Sequence, residues 1–143
     1  MAENAYIKLV PGSVKEIITT DELKDLLLTY KGTAIKTGHQ LGWDYEEHAF
    51  PYEIKETENG KGRWFYLQSQ TDRYNVILLG IDQEKVLDDN ANERIQTYVQ
   101  VSLAQTSTFG DKGKANELCK YLSKKLNGEL QLFNGRIIYD YKR

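Results

Sequence analysis

Residues 94–103 form a two-residue repeat, and this repeat constrains the fold more than any other part of the chain. One set of alternate residues is Ile95, Thr97, Val99, Val101 and Leu103, and the other is Arg94, Gln96, Tyr98, Gln100 and Ser102. Successive side chains of a β-strand point to opposite faces of the sheet. The pattern therefore predicts a strand with one face on the core and the other in water.

Two further segments have the spacing of amphipathic helices, with the apolar residues on one face. In the first helix these are Leu23, Leu26, Leu27, Tyr30 and Ala34. In the second they are Ala115, Leu118, Cys119, Leu122 and Leu126. Thr19 and Glu22 predict a capping box at the start of the first helix, and Thr37-Gly38 predicts its end. Asn127-Gly128 predicts the end of the second helix.

The other extended segments are short and are separated by turn residues. They are residues 6–10, 14–19, 50–55, 63–68, 74–81, 130–133 and 137–141. Segment 74–81 is the most apolar, which favours a central strand buried on both faces. Residues 82–93 are polar and predict a loop, and Asn134-Gly135 predicts a type I′ turn between the last two strands.

This order of elements predicts an α+β fold. We expect a mainly antiparallel sheet with two amphipathic helices packed on one face, in a single domain over residues 1–143. A chain of this length can bury its own core.

Composition excludes several classes of function. The formal net charge is −2 and the sequence pI is ≈ 5.7, so nucleic-acid binding is not expected. The basic residues Lys114, Lys120, Lys124 and Lys125 of the second helix are interpreted as a solvated face. A single cysteine, no basic and apolar leader, and no long apolar run indicate a cytoplasmic protein that does not enter the membrane.

Residues 38–53 are the candidate site, because both histidines of the chain lie there among acids and aromatic rings. The candidate residues are His39, Trp43, Asp44, Glu46, Glu47, His48 and Tyr52. Imidazole and carboxylate groups bind metals, and a carboxylate in an aromatic pocket can act as a general acid or base. The spacing of the two histidines fits no known metal motif, so no metal is assigned.

Other catalytic motifs are absent from the sequence. Cys119 lies on the apolar face of the second helix, where a small hydrophobic residue is expected. Gly113-Lys114 is followed by Ala115, whereas a P-loop requires Ser or Thr. No cofactor is therefore predicted.

Binding is the function that the sequence favours. Ten of the sixteen aromatic residues are Tyr, which suits amphipathic sheet faces. If Tyr and Trp from residues 52–66 and Tyr98 cover the sheet face opposite the helices, that face could bind a ligand or a protein. The alternatives are a small metal-assisted or acid/base enzyme using residues 38–53, and a homodimer through the open face or an edge strand.

Three segments resemble a small family of uncharacterised proteins from Bacillus-like bacteria. They are Asn4-Ala5-Tyr6-Ile7-Lys8-Leu9-Val10-Pro11, His39-Gln40-Leu41-Gly42, and Tyr45-Glu46-Glu47 through Phe50-Pro51-Tyr52-Glu53. The similarity extends over nearly the whole chain. It implies a compact cytoplasmic single-domain protein, but it implies no activity and no catalytic residues.

Overall fold

A computed structural model describes residues 3–41, 52–69, 73–88 and 90–141, with the backbone alone for residues 33–41. The helices are α1 (Thr20–Leu41) and α2 (Phe109–Leu126). The strands are β1 (Glu3–Lys8), β2 (Glu53–Lys55), β3 (Trp64–Gln68), β4 (Val76–Leu87), β5 (Glu93–Leu103), β6 (Glu129–Gln131) and β7 (Ile137–Tyr139).

The strands form one antiparallel sheet of seven, in the order β2-β3-β4-β5-β1-β6-β7. Strands β2 to β5 follow the chain order, as hairpins do. Strand β1 then lies between β5 and β6, so the first strand of the chain joins the two halves of the sheet. Strands β2 and β7 are the two edges.

One face of the sheet carries the hydrophobic core. Phe65 lies opposite Leu79, Leu79 opposite Val101, and Val101 opposite Ala5, so a row of buried side chains crosses four strands. Both helices supply their apolar residues to the same core. Those with no exposed surface are Leu23, Leu27, Ala115, Leu118, Cys119 and Leu122. The α+β fold with both helices on one face is confirmed.

Helix α1 begins with the predicted capping box. Thr19 Oγ1 accepts from the Glu22 N–H at 3.2 Å, and Glu22 Oε1 accepts from the Thr19 N–H at 3.2 Å. The predicted end at Thr37-Gly38 was wrong, because the helix continues to Leu41. Glycine inside a helix costs only about 1 kcal/mol, so neighbouring residues can override it.

Segment 14–19, predicted as a strand, forms no strand. Pro11 and Gly12 lie in a turn, and Val14 then donates its N–H to the Leu126 carbonyl at the end of α2. Its apolar residues also fail to form a sheet face, since Ile18 is buried while Val14 and Ile17 are exposed.

The predicted loop at 82–93 was also wrong. Strand β4 continues to Leu87 and pairs with β5 as far as Glu93, so the two strands form one long hairpin. The turn at its tip is closed by Asp88, whose Oδ1 accepts from the N–H groups of Asn90 and Asn92. Exposed hairpin residues can be polar on both faces, which removes the apolar signal of a strand.

Strands β4 and β5 differ from expectation in what they bury. In β4, Ile77 and Leu79 are buried but Leu78 and Gly80 are half-buried, so the strand is not covered on both faces. In β5, Thr97 to Leu103 follow the predicted alternation, whereas Ile95 is 63% exposed.

The last hairpin does not have a type I′ turn. That turn requires positive φ at both central residues, but of Asn134 and Gly135 only Gly135 has it, with φ +86°. The N–H of Leu132 bonds the carbonyl of Arg136, leaving a three-residue loop. The predicted end of α2 is confirmed at Asn127, which adopts the left-handed conformation with φ 51°. Within the described ranges, no helix is both long and apolar enough to cross a membrane.

Candidate functional site

Most of the predicted site segment lies outside the described residues. His39 falls in the part of α1 described by its backbone alone, and Trp43, Asp44, Glu46, Glu47 and His48 fall in the gap between 41 and 52. Tyr52 is the one candidate whose side chain is described. Over the ranges that the structure covers, no three His, Cys, Asp or Glu side chains are grouped to hold a metal ion. The role of this segment stays a prediction.

Tyr52 is buried and binds a buried carboxylate. Its hydroxyl donates to Asp111 Oδ1 at 2.6 Å. The same carboxylate accepts from the backbone N–H groups of Asn75 (3.0 Å), Val76 (3.1 Å) and Thr108 (2.9 Å). Asp111 has no exposed surface, and its oxygens are used by donors from three parts of the chain.

This cluster around Asp111 is structural. Thr108 and Asp111 form the capping box of α2, and the bonds to Asn75 and Val76 attach that helix to the start of β4. Burial, and then the bond to Asp111, raise the pKa of Tyr52 well above its usual range. The hydroxyl proton of Tyr52 is thus used to bind Asp111, and the oxygens of Asp111 are occupied by these donors.

The sheet face opposite the helices, called here the open face, carries a different set of side chains. Across the strands, Trp64 lies opposite Gly80, Gly80 opposite Gln100, and Gln100 opposite Tyr6. Because Gly80 has no side chain, this row has a gap between Trp64 and Gln100. Leu78 and Asp82 lie on either side of the gap along β4, and the space above Gly80 is called the Gly80 slot.

The Gly80 slot is part of a groove of ≈ 580 Å³. A Cβ at Gly80 would lie 3.2 Å from the Trp64 Cβ, so even one methyl group would fill its floor. Trp64 is backed by the turn before β3, where a Cβ at Gly60 would lie 2.6 Å from the indole ring. Glycine at position 60 therefore lets the ring pack directly on the backbone.

Gln100 and Ser102 line the groove opposite Trp64, and Asn4 on the neighbouring strand β1 bonds both of them. Asn4 Oδ1 accepts from the Ser102 hydroxyl at 2.6 Å and from Gln100 Nε2 at 3.2 Å. Gln100 Nε2 also donates to Ser102 Oγ at 3.1 Å. These bonds hold the three side chains in place, and they use neither the Gln100 carbonyl oxygen nor the Asn4 amide nitrogen. Of these two residues Gln100 lines the groove, so its side-chain oxygen can serve in recognition.

Aromatic rings continue the open face beyond these side chains. Tyr6 and Tyr98 meet edge to face, with centroids 5.7 Å apart. Burial, and then the negative charges of Asp82 and Glu84, raise the pKa of Tyr98. Trp64, Tyr66 and Tyr98 thus lie on the open face, as the sequence suggested, whereas Tyr52 lies on the core side.

Sequence reasoning missed the residue that makes the slot. Gly80 interrupts an apolar strand, and a glycine inside a strand often marks a close approach of another group. The sequence contained that signal. It did not show that Gly80 lies opposite Trp64 of β3, because this pairing depends on the strand register. Cys119 behaves as predicted: it is buried in the core, and burial raises its thiol pKa to about 12.

Comparison with known proteins places the chain in a family. A family model described as a domain of unknown function, DUF1885, matches residues 3–142. The chain belongs to the DUF1885 family. A crystal structure of a protein of unknown function from Bacillus stearothermophilus is similar, at 35% sequence identity and a TM-score of 0.54. The match covers 90% of this chain and 93% of that one.

The DUF1885 assignment confirms the resemblance to a family of unknown function from Bacillus-like bacteria. The comparison with curated proteins found no match. Neither the family description nor the similar structure names an activity, so the function has to be argued from the site.

Proposed function

We propose that this DUF1885 protein is a binding module that takes a flat ring-bearing ligand into the Gly80 slot. The observation that carries the proposal is the missing side chain at Gly80 between Trp64 and Gln100. Neighbouring strands are about 4.8 Å apart, so the backbones that carry these two residues are about 9.6 Å apart. The Trp64 side chain occupies part of this width, since its Cβ would lie 3.2 Å from a Cβ at Gly80. Aromatic rings stack with centroids about 4.5–7 Å apart, so we expect the ligand ring to lie against the Trp64 indole above Gly80.

The rim of the slot favours a ring with polar substituents. The side-chain oxygen of Gln100 can accept a hydrogen bond, and Arg63 and Asp82 add one charge of each sign. An apolar surface with a few placed polar groups is the usual composition of a small-ligand site. The volume of ≈ 580 Å³ is within the range of such sites.

A cytoplasmic location and a single-domain organisation are part of this proposal. The lone cysteine supports the location, since its buried thiol belongs to the core and needs no oxidising compartment. The participation of β1, β6 and β7 in the same sheet as β2 to β5 supports the single domain.

Calorimetric titration with indole, purine and cyclohexanol tests the proposal. The first two are planar rings, and cyclohexanol is a non-planar control. We expect indole or purine to bind with a dissociation constant on the order of 1 mM, as fragments of this size do. Gly80→Ala, which fills the floor, should weaken binding about tenfold, or about 1.4 kcal/mol.

Two controls separate a lost site from a damaged fold. Because a Cβ at Gly80 would lie 3.2 Å from the Trp64 Cβ, Gly80→Ala requires Trp64 to shift by a few tenths of an ångström, and urea unfolding shows whether the variant keeps its stability. Phe109→Ala removes an aromatic ring that is 96% exposed on α2 and should leave binding unchanged. Equal binding of cyclohexanol, or planar-ring binding that survives Gly80→Ala, would contradict the proposal.

A further inference from the structure

Strand β7 is an edge of the sheet that presents apolar side chains. It has β6 on one side and ends the strand order on the other. On the open face, Ile137 is 45% exposed and Tyr139 is 48% exposed. Edge strands usually carry charged residues that prevent pairing with another chain. In β7 the three residues of the strand are uncharged, and the charged residues Arg136 and Asp140 flank it.

The backbone of β7 alternates between its neighbour and the sheet edge. The Arg136 carbonyl accepts from Leu132, and the Asp140 N–H donates to Gly128, so even-numbered residues bond the β6 side. In an antiparallel pair, alternate residues direct their backbone groups to opposite sides of the strand. Ile137 and Tyr139 therefore direct theirs away from β6.

The sequence of β7 is complementary to itself in the antiparallel direction. When two copies are centred on Ile138, Ile137 lies opposite Tyr139 of the second copy. Both direct their backbone groups outward, which is the geometry of a hydrogen-bonded pair. Arg136 then lies opposite Asp140 of the second copy, and the twofold axis repeats each contact. A β-branched residue against an aromatic ring, and opposite charges, are both favourable cross-strand pairs.

The neighbouring registers lose this match. A shift of two residues in one direction places Ile138 opposite Asp140, and the same shift in the other direction places Arg136 opposite Ile138. Within the described part of the chain, neither Arg136 nor Asp140 makes an ion pair, so both charges are available. The centred register is therefore the favoured one.

The opposite edge, β2, provides a contrast. It is also three residues long, but Glu53 and Lys55 form an ion pair with each other at 3.1 Å within the chain. Two charges on a short edge strand are a common device against pairing. Among the described residues, β7 combines exposed apolar side chains with complementary charges that make no ion pair, whereas the charges of β2 pair with each other.

We propose that the chain forms a homodimer by antiparallel pairing of β7 with β7 of a second copy, which joins the two sheets. The interface is isologous, with its twofold axis perpendicular to the sheet at Ile138. Such an axis keeps both open faces on the same side, so the two Gly80 slots open in the same direction. The interface is small, and it belongs with weak and reversible associations. It is independent of the ligand proposed for the slot.

Sedimentation velocity over a concentration series from micromolar to millimolar tests this dimer. The wild type should shift from the 16.5 kDa monomer toward twice that mass. Arg136→Asp and Asp140→Arg each place like charges opposite one another and should weaken the dimer about tenfold. The double variant Arg136→Asp/Asp140→Arg restores opposite charges and should dimerise like the wild type.

Thermal unfolding of dilute protein checks that each variant remains folded. The double variant provides a second check, because exchanging the two charges would not restore a dimer that was lost through misfolding. A wild type that stays monomeric at millimolar concentration would overturn the proposal. So would a dimer that neither single variant weakens, or one that the double variant fails to restore. Ligand binding at the Gly80 slot is measured separately on the same variants and should not change.

Discussion

The two faces of the sheet have opposite properties, although they are made from the same strands. On the core face, Phe65 and Leu67 have no exposed surface. On the open face, Trp64 and Tyr66, from the same strand, remain partly exposed, and Trp64 borders a groove with a glycine floor. One set of alternate residues therefore stabilises the fold, while the other is available to bind a ligand.

The largest difference should be measured between neighbouring aromatic residues of β3. Phe65→Ala leaves a cavity in the core and should cost about 3–5 kcal/mol of unfolding free energy. Tyr66→Ala, on the open face, should cost about 1 kcal/mol or less because the ring is only partly buried. Urea unfolding of both variants measures the two values. Equal losses would mean that the two faces are not distinct.

A smaller effect is expected at the polar cluster on the core side. Asp111→Ala leaves the Tyr52 hydroxyl and three backbone N–H groups without their acceptor and should cost about 2–4 kcal/mol. Asp111→Asn keeps one carbonyl oxygen and should lose less. If Asp111→Ala unfolds at the wild-type urea concentration, the cluster does not hold α2 to β4.

The smallest effect is the pH dependence contributed by Tyr52. Its folded pKa is raised above the unfolded value of 10.0, chiefly by burial, so its contribution is complete below pH 10 and is lost as the pH rises. The wild type should have a higher free energy of unfolding than Tyr52→Phe, and this difference should decrease by about 1.4 kcal/mol per pH unit above that value. Urea unfolding through this range measures the difference. A constant difference would show that the hydroxyl is not held neutral in the fold.

The sequence predicted the elements whose pattern comes from burial. The alternation of β5 and the apolar faces of both helices follow from the polarity of individual residues, so they could be predicted from the sequence. The exposed hairpin from Asp82 to Leu87 could not, because residues 82–85 are polar on both faces and the pairing depends on backbone bonds. Gly38 led to a wrong prediction, because the weak preference of glycine for helix ends was overridden by the helix around it.

The candidate site was less predictable than the fold. The sequence indicated which aromatic residues could cover the open face, but the gap at Gly80 depends on strand register with both Trp64 and Gln100. The spacing of Thr108 and Asp111 is a local signal for a helix start, but the other partners of Asp111, which are Tyr52, Asn75 and Val76, are far from it in the sequence. Long-range pairing of this kind leaves no local signal.

The central claim is that the open face binds a planar ring at the Gly80 slot, and an amide chemical-shift titration with indole tests it most directly. We expect the largest shifts at Trp64, Gly80 and Gln100, with little change at Leu118 and Leu122 in the core. We expect these shifts to be lost in Gly80→Ala. Shifts that cluster away from β3, β4 and β5, or that persist unchanged in Gly80→Ala, would contradict the claim.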